Sequence, residues 1–215
     1  MQITADWLHD STSQAVLGAL TEQGFDAYFV GGCVRNALLD AAVSDLDVAT
    51  SALPEDVQKI MENKGFRTVP TGIEHGTITV LIRNRSFEVT SFRKDVETFG
   101  RRAVVAFSSD IADDARRRDF TMNALYAGAD GQIVDPLNGL PDLVARRLRF
   151  IEDADRRIKE DYLRILRYFR FFAWYGDQSA GLDPEALAAI SNNLDGLDKL
   201  SKERIGAEMR KLLKA

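Results

Sequence analysis

The chain has 215 residues, 45% of them hydrophobic and 28% charged, with a formal net charge of −5. That length can bury a substantial core, and no apolar run approaches the ~20 residues that a membrane-spanning helix needs. The opening MQITADWLHDSTSQ lacks a basic segment followed by an apolar one, so it does not read as a signal peptide. One cysteine, Cys33, cannot form an internal disulfide, which fits a reducing cytoplasm.

The net charge excludes a uniformly basic coat for nucleic acid, but the charge is uneven. Residues 1–60 are net −7, residues 61–170 net +3 and residues 171–215 net −1. Arginines gather in the middle, as Arg101-Arg102, Arg116-Arg117-Arg118, Arg146-Arg147 and Arg156-Arg157, then Arg164, Arg167 and Arg170. The expectation is a local basic groove on an acidic protein. The alternative for any one cluster is salt bridging on a solvated helix face.

In chain order, residues 11–23 carry Val16, Leu17 and Leu20 with Gly24 behind them, the pattern of a capped helix. Residues 25–30 read as a strand closed by Gly31-Gly32, residues 33–39 as a short helix and residues 45–49 as a short strand. Pro54 opens a helix that stops at Gly65. Residues 77–82 and 87–92 form a hairpin around Asn84-Arg85-Ser86. Residues 94–109 show no sustained period and read as a loop, residues 111–127 as a helix and residues 132–135 as a short strand. Beyond them every segment reads as helix, over 154–175, 184–193 and 201–214, with Asp183 and Ser201 as N-caps. The chain therefore divides into a mixed α/β part, residues 1–150, and an all-helical part, residues 151–215.

Three motifs carry chemistry. In SDLD, Asp45 and Asp47 share one face of a strand while Leu46 and Val48 face the core. Carboxylates that close repel, and a hard divalent cation relieves the repulsion. Alone the signal is poor, since about five acidic-x-acidic triplets are expected by chance in such a composition. Its context is stronger. Gly31-Gly32 lets backbone N–H groups approach a phosphate at a helix start, and Arg35 follows one turn later to add a full charge. The second motif, ARRRDFTMNAL, places three arginines and Asp119 before an apolar face; its bland reading is a basic helix start.

The third motif is EDYLRILRYFRF. Asp161, Arg164, Arg167 and Arg170 recur every three residues, as neighbours along a helix. Asp only accepts hydrogen bonds and Arg only donates them. Cytosine and adenine each offer an amino donor beside a ring-nitrogen acceptor, so one Asp–Arg pair matches both. Guanine and uracil present the reverse order and would leave buried groups unpaired, at about 1–3 kcal/mol each. The alternative is an exposed i,i+3 salt bridge of little energy.

Together the stretches YFVGGCVRNALL, SDLDVATSALPEDV, GFRTVPTGIEHGTITV, FEVTSFRKDVETFGRR, RRRDFTMNALY, IVDPLNGLPDL and IKEDYLRILRYFRF resemble the class II tRNA nucleotidyltransferases and the related bacterial poly(A) polymerases. They span residues 28 to about 172 in the family's order. The resemblance implies an α+β fold, with a polymerase-β-like nucleotidyltransferase head over 1–150 and an all-helical neck over 151–215. It implies a body and tail beyond them, since full-length members are longer. It assigns Asp45 and Asp47 to catalysis and to Mg²⁺, and Gly31, Gly32 and Arg35 to the nucleotide triphosphate. Arg118 would contact the nucleotide, with Asp119 bracing the site; Asp161 and Arg164 would read the base edge, and Arg167 and Arg170 would add nucleotide contacts. Glu88 is a weaker candidate for a third carboxylate.

Asn36 stands where the family often has aspartate, which removes an ion pair at that position and not the phosphate role. The implied activity is template-independent addition of CMP and AMP, from CTP and ATP, to the 3′ end of tRNA in the cytoplasm. Poly(A) addition and CC-only or A-only addition are the alternatives within the family, and residues 92–107 are a segment that bears on that choice. A non-catalytic RNA-binding module is a more distant alternative.

Overall fold

A computed structural model gives the fold and describes residues 1–99 and 102–215. A short helix α1 (Asp6–His9) leads into α2 (Ser11–Thr21), whose first turn is capped by the Asp10 carboxylate accepting from Thr12 N at 2.9 Å. Val16, Leu17 and Leu20 of α2 are fully buried. Strand β1 (Ala27–Val30), helix α3 (Gly32–Leu38) and strand β2 (Leu46–Thr50) follow. Helix α4 (Pro54–Asn63) has proline at its start and Glu55 and Asp56 in its first turn, where its dipole favours acids. Val57 and Met61, one turn apart, bury its inner face.

Strands β3 (Arg67–Gly72), β4 (Thr77–Ile82) and β5 (Arg85–Ser91) come next. β3 has no counterpart among the elements read from sequence, and Pro70 lies within it. It is tolerated because β3 is the outer strand of the sheet, with an irregular register between Val69 and Gly72. The β4–β5 turn is Arg83-Asn84 rather than 84–86, with Ile82 opposite Arg85. Arg83 takes a left-handed φ of 54°, as two-residue hairpin turns require.

Residues 94–109, expected as a loop, instead contain an antiparallel pair, β6 (Arg93–Phe99) with β7 (Arg102–Phe107). Backbone pairing holds these strands without a strong side-chain period. Arg101 of the Arg101-Arg102 pair lies outside the described residues.

The helix expected over 111–127 is also overridden. α5 (Ile111–Arg116) ends early, residues 121–123 form a 3₁₀ turn and β8 (Tyr126–Ala127) joins the sheet. Tertiary pairing breaks the helix: Thr121 N donates to Arg149 O at 3.1 Å and Ile151 N to Asp119 O at 3.1 Å, drawing 119–121 into an extended ladder. β9 (Ile133–Val134) and α6 (Leu140–Val144) complete this part. The main sheet has seven strands in the order β3-β4-β5-β2-β1-β8-β9, antiparallel except for the β2–β5 pair.

After residue 150 the elements are helical: α7 (Ala154–Glu160), α8 (Leu163–Tyr175), α9 (Pro184–Ser191) and α10 (Lys202–Leu212), with a 3₁₀ segment over 194–199. Asp183 and Ser201 cap α9 and α10 as expected. The helix expected over 154–175 is broken, because Asp161 is extended at φ −152°, ψ 105°. Its side chain accepts from Leu163 N at 3.1 Å and its carbonyl from Arg164 N at 2.9 Å, so Asp161 ends one helix and starts the next. Phe120 packs against Phe150, Phe171 and Tyr168 at ring distances of 5.0, 5.2 and 6.1 Å. One buried core thus runs from the sheet into the helices. No helix among the described residues is long and apolar enough to cross a membrane.

The hinge between α5 and β8 is held by Asp114, which is fully buried. It pairs with Arg117 at 2.7 Å and Arg118 at 2.9 Å and accepts from Tyr126 Oη at 2.8 Å. Burial alone would raise its pKa, but the Arg118 and Arg117 charges and the hydrogen bonds from Arg118 and Tyr126 outweigh burial and lower it to about 2. A carboxylate with a depressed folded pKa stabilises the fold above its unfolded pKa and loses that contribution as pH falls through the folded value. Asp114→Asn is therefore expected to cost about 2 kcal/mol at neutral pH. Chemical denaturation from pH 7 to 2 should show the gap to wild type constant above pH 4 and closing toward pH 2; a pH-independent gap would exclude the ionic account.

Candidate active site

Gly31 turns the chain from β1 into α3 with φ 72° and ψ −120°, a conformation L side chains rarely adopt. A Cβ there would stand 3.4 Å from Arg118 Nη1. One turn into α3, Arg35 is 6% exposed. Its Nη1 donates to Asn123 Oδ1 at 2.5 Å, its Nε and Nη2 to Asn36 Oδ1 at 3.1 and 2.8 Å, and its Nη2 to Tyr175 Oη at 2.9 Å. The Tyr175 and Phe171 rings lie 4.1 and 5.1 Å from its guanidinium carbon. These hydrogen-bond and ring partners are all neutral, so its charge is held in place without being cancelled. Asn36, where aspartate was the family's habit, supplies a neutral acceptor.

Leu46 and Val48 are buried, and Asp47 emerges between them on the opposite face, as the alternation demands. Asp45 stands just before β2 rather than within it and is exposed, accepting from Ser44 Oγ at 2.9 Å. The parallel β2–β5 pairing sets Asp47 beside Glu88. Asp45, Asp47 and Glu88 share a hollow of about 280 Å³. Burial, then the Glu88 charge, push the Asp47 carboxyl up to about 6, with Asp45 adding to the effect and Arg118 opposing it.

A crowded, partly buried carboxylate of this kind fits a hard divalent cation, which would offset the repulsion. Among the described residues no group of three or more His, Cys, Asp or Glu gathers closely enough to hold a metal. The fit is therefore to an ion taking two carboxylates, Asp45 and Asp47, with its other positions left to phosphate and water. Glu88 bears on Asp47 through its charge. Cys33, beneath Asp47, is buried and its thiol is pushed up to about 11, which leaves it inert.

Asp47 also lines a larger cavity of about 490 Å³ that reaches from Gly31 and Gly32 to α8 and α10. Six arginines and three aspartates line it, so its wall is basic although the chain is acidic. Arg118 is held by Asp114 and by the Tyr126 hydroxyl and ring, with Nη1 facing the glycine turn. Asp119 is buried and fully engaged. Its Oδ1 accepts from Phe120 N and Asn123 Nδ2, both at 2.9 Å, and its Oδ2 from Arg167 Nε at 2.8 Å and from Arg167 Nη2. A relay therefore runs Arg167–Asp119–Asn123–Arg35 across the cavity floor.

The structure brings Asp161, Arg164 and Arg167 to this cavity, but not as an i,i+3 ladder. Asp161 precedes α8, and its partner is Arg204 of α10 at 2.7 Å. Arg164 turns instead to Glu160 at 2.7 Å and to the carbonyls of Arg157 and Arg117 at 2.7 and 3.1 Å. Arg170 is not on the cavity wall: its guanidinium pairs with buried Glu208 of α10. Sequence reasoning missed Asn123, Glu160, Tyr175 and Arg204. Glu160 sits beside Asp161 in the same motif and was legible as the acid four residues before Arg164. Arg204 and Tyr175 carry no local signal, since only the docking of α10 and α8 brings them here.

With this geometry in view, the comparisons with known proteins are specific. Residues 27–149 match the family described as the poly(A) polymerase head domain. The human mitochondrial CCA tRNA nucleotidyltransferase 1 is 42% identical over 202 residues, covering 92% of this chain and 46% of the relative. The CCA-adding enzyme of Limosilactobacillus fermentum is 41% identical over 203 residues, covering 94% of this chain and 49% of the relative. The chain thus spans about half the length of the curated relatives it matches. The crystal structure of the Bacillus stearothermophilus CCA-adding enzyme in complex with CTP superposes with a TM-score of 0.83 at 38% identity, covering 94% of this chain and 47% of that one. By its matched length, its identity to these relatives and its α+β nucleotidyltransferase fold, the chain belongs to the poly(A) polymerase head-domain family.

Proposed function

We propose that the chain is the catalytic portion of a template-independent nucleotidyltransferase that adds CMP and AMP, from CTP and ATP, to the 3′ end of tRNA and releases pyrophosphate. The observation that carries this reading is the single cavity that joins Asp47 to an arginine wall and to Asp161 and Arg164. Relatives named for CCA addition, at 41–43% identity, support CCA over poly(A) addition. In this reading residues 1–150 act as the nucleotidyltransferase head and residues 151–215 as the neck, working in the cytoplasm.

Asp45 and Asp47 are the residues to hold Mg²⁺. When bound, the ion supplies charge neutralisation at phosphate oxygens and acidifies an attacking hydroxyl. The chain's own residues do the rest. Gly31 and Gly32 let the triphosphate approach the backbone. Arg118, fixed by Asp114, and Arg35, held only by neutral partners, give the phosphates a pre-oriented positive field that needs no reorganisation as charge moves to the leaving group. Asp119 braces Arg167 on the same wall. Asp161 as acceptor and Arg164 as donor match the amino and ring-nitrogen edge common to cytosine and adenine, and Arg170 acts at a distance by fixing α10. The tRNA 3′ end enters from the Asp45 side, where Asp45 and Glu88 are exposed.

The direct test supplies purified chain with Mg²⁺, a tRNA lacking CCA and each of the four nucleotides in turn. CMP addition followed by AMP addition is expected; AMP runs alone would favour poly(A) or A-only addition, and CMP alone CC-only addition. Asp47→Ala should reduce incorporation to background with its melting transition retained, and Mg²⁺-dependent incorporation persisting in that variant would end the mechanism. Asp161→Ala should lower the preference for C and A over G and U by about tenfold. Unchanged selectivity would return Asp161 to a structural role.

A further inference from the structure

The last helix brings to the cavity a side chain that neither the motifs nor the resemblance assigns. Arg204 Nη2 donates to Asp161 Oδ2 at 2.7 Å, and both residues line the cavity beside Arg164. Its position follows from how α10 docks. One turn further along the same face, Glu208 is buried and pairs with Arg170 of α8. Beyond it, the Lys211 carbonyl accepts from Trp174 Nε1 at 3.3 Å. The contacts advance together, 161 with 204, 170 with 208 and 174 with 211, so α8 and α10 run side by side in the same direction. That arrangement delivers Arg204 to the start of α8, where Asp161 sits.

We propose that Arg204 is a positioning residue that sets base choice by holding the Asp161 carboxylate; this rests on the base-reading role of Asp161 given above. Asp161 Oδ1 accepts from Leu163 N at 3.1 Å and Oδ2 from Arg204, so two fixed donors define the plane of the carboxylate. Each oxygen has a second lone pair free for an incoming amine. A carboxylate carries no donor, so the group can only accept. An oriented, ionised acceptor welcomes the exocyclic amine of cytosine or adenine and repels the carbonyl oxygen of uracil or guanine. Without Arg204 the terminal carboxylate torsion, which is broad by nature, is held from one side only. Arg164 does not hold Asp161: its Nη1 bonds Glu160 and the Arg157 carbonyl and its Nη2 the Arg117 carbonyl, which leaves its Nε–H and one Nη2–H for the ring nitrogen of the base.

The pair is 45% and 34% exposed at its two side chains, so its loss costs the fold little and the consequence is read in selectivity. The experiment titrates CTP, ATP, UTP and GTP, with Mg²⁺, into wild-type chain, Arg204→Ala and Arg204→Lys, with incorporation into tRNA lacking CCA followed in parallel. Arg204→Ala is expected to lower the ratio of CTP to UTP affinity by about tenfold while its melting midpoint stays near wild type, and Arg204→Lys to recover part of that ratio. A ratio unchanged in Arg204→Ala overturns the proposal, and a wild-type ratio near one overturns it together with the base-reading role of Asp161. Selective binding that depends on Arg204, without incorporation, supports the proposal and overturns nucleotidyl transfer instead.

Discussion

The candidate site depends on one buried carboxylate, that of Asp119. Both of its oxygens are satisfied, by Arg167 on one side and by Asn123 and the Phe120 amide on the other. Burial would raise its pKa, but Arg167 and these hydrogen bonds outweigh burial and hold it below the usual carboxylate range. An unpaired charge in that position would be strongly destabilising. The Asp119–Arg167 pair therefore ties the sheet-bearing part to the helical part at this point. The aromatic cluster of Phe120, Phe150, Tyr168 and Phe171 surrounds the same point, so apolar packing and charge pairing specify one geometry.

The arginines of the middle segment sort by what holds them. Arg117 and Arg118 are tied to Asp114, Arg157 and Arg164 to Glu160, Arg167 to Asp119 and Arg170 to Glu208. These acids serve as fixing points, and the guanidinium faces they leave over on Arg117, Arg118, Arg164 and Arg167 are what the cavity presents. Arg35 differs in that its hydrogen-bond and ring partners are amides, a phenol and aromatic rings, with Asp119 acting on it only through space. A cation arranged this way keeps its field available to an anion, whereas a salt-bridged one has most of its field cancelled at short range. Rigid, partly uncompensated charge is what a site for a triphosphate requires, because the cost of orienting the dipoles has been met during folding.

Much of this was legible in the residues. The pattern from Phe25 to Thr50, strand, glycine turn, short helix, strand, was readable because each element is short and bounded by Gly31-Gly32 or by an acid. The same-face relation of Asp45 and Asp47 followed from the two-residue period alone, although Asp45 proved to precede the strand. What failed did so for tertiary reasons. The run after Ile111 has helical composition, but the ladder between 119–121 and 149–151 is worth more than continued helix, and no local signal announces it. Asp161 looked like the first member of a helical stripe, yet its own side chain bonds its neighbour's backbone and breaks the helix there. The hairpin of β6 and β7 shows little alternation, so its pairing rests on backbone hydrogen bonds that side-chain periodicity does not report.

The one parallel pairing in the sheet, between β2 and β5, places Leu46, Asp47 and Val48 opposite Phe87, Glu88 and Val89. Successive residues on a strand face opposite ways, so sliding β2 by a single position would carry Asp47 into the apolar interior and expose Leu46 and Val48. The cost of burying that charge makes the slipped sheet unstable. The hydrophobic pattern that folds the sheet thereby also guards the acidic face: any change in segment length between residues 50 and 85 is tolerable only when the intervening turns absorb it.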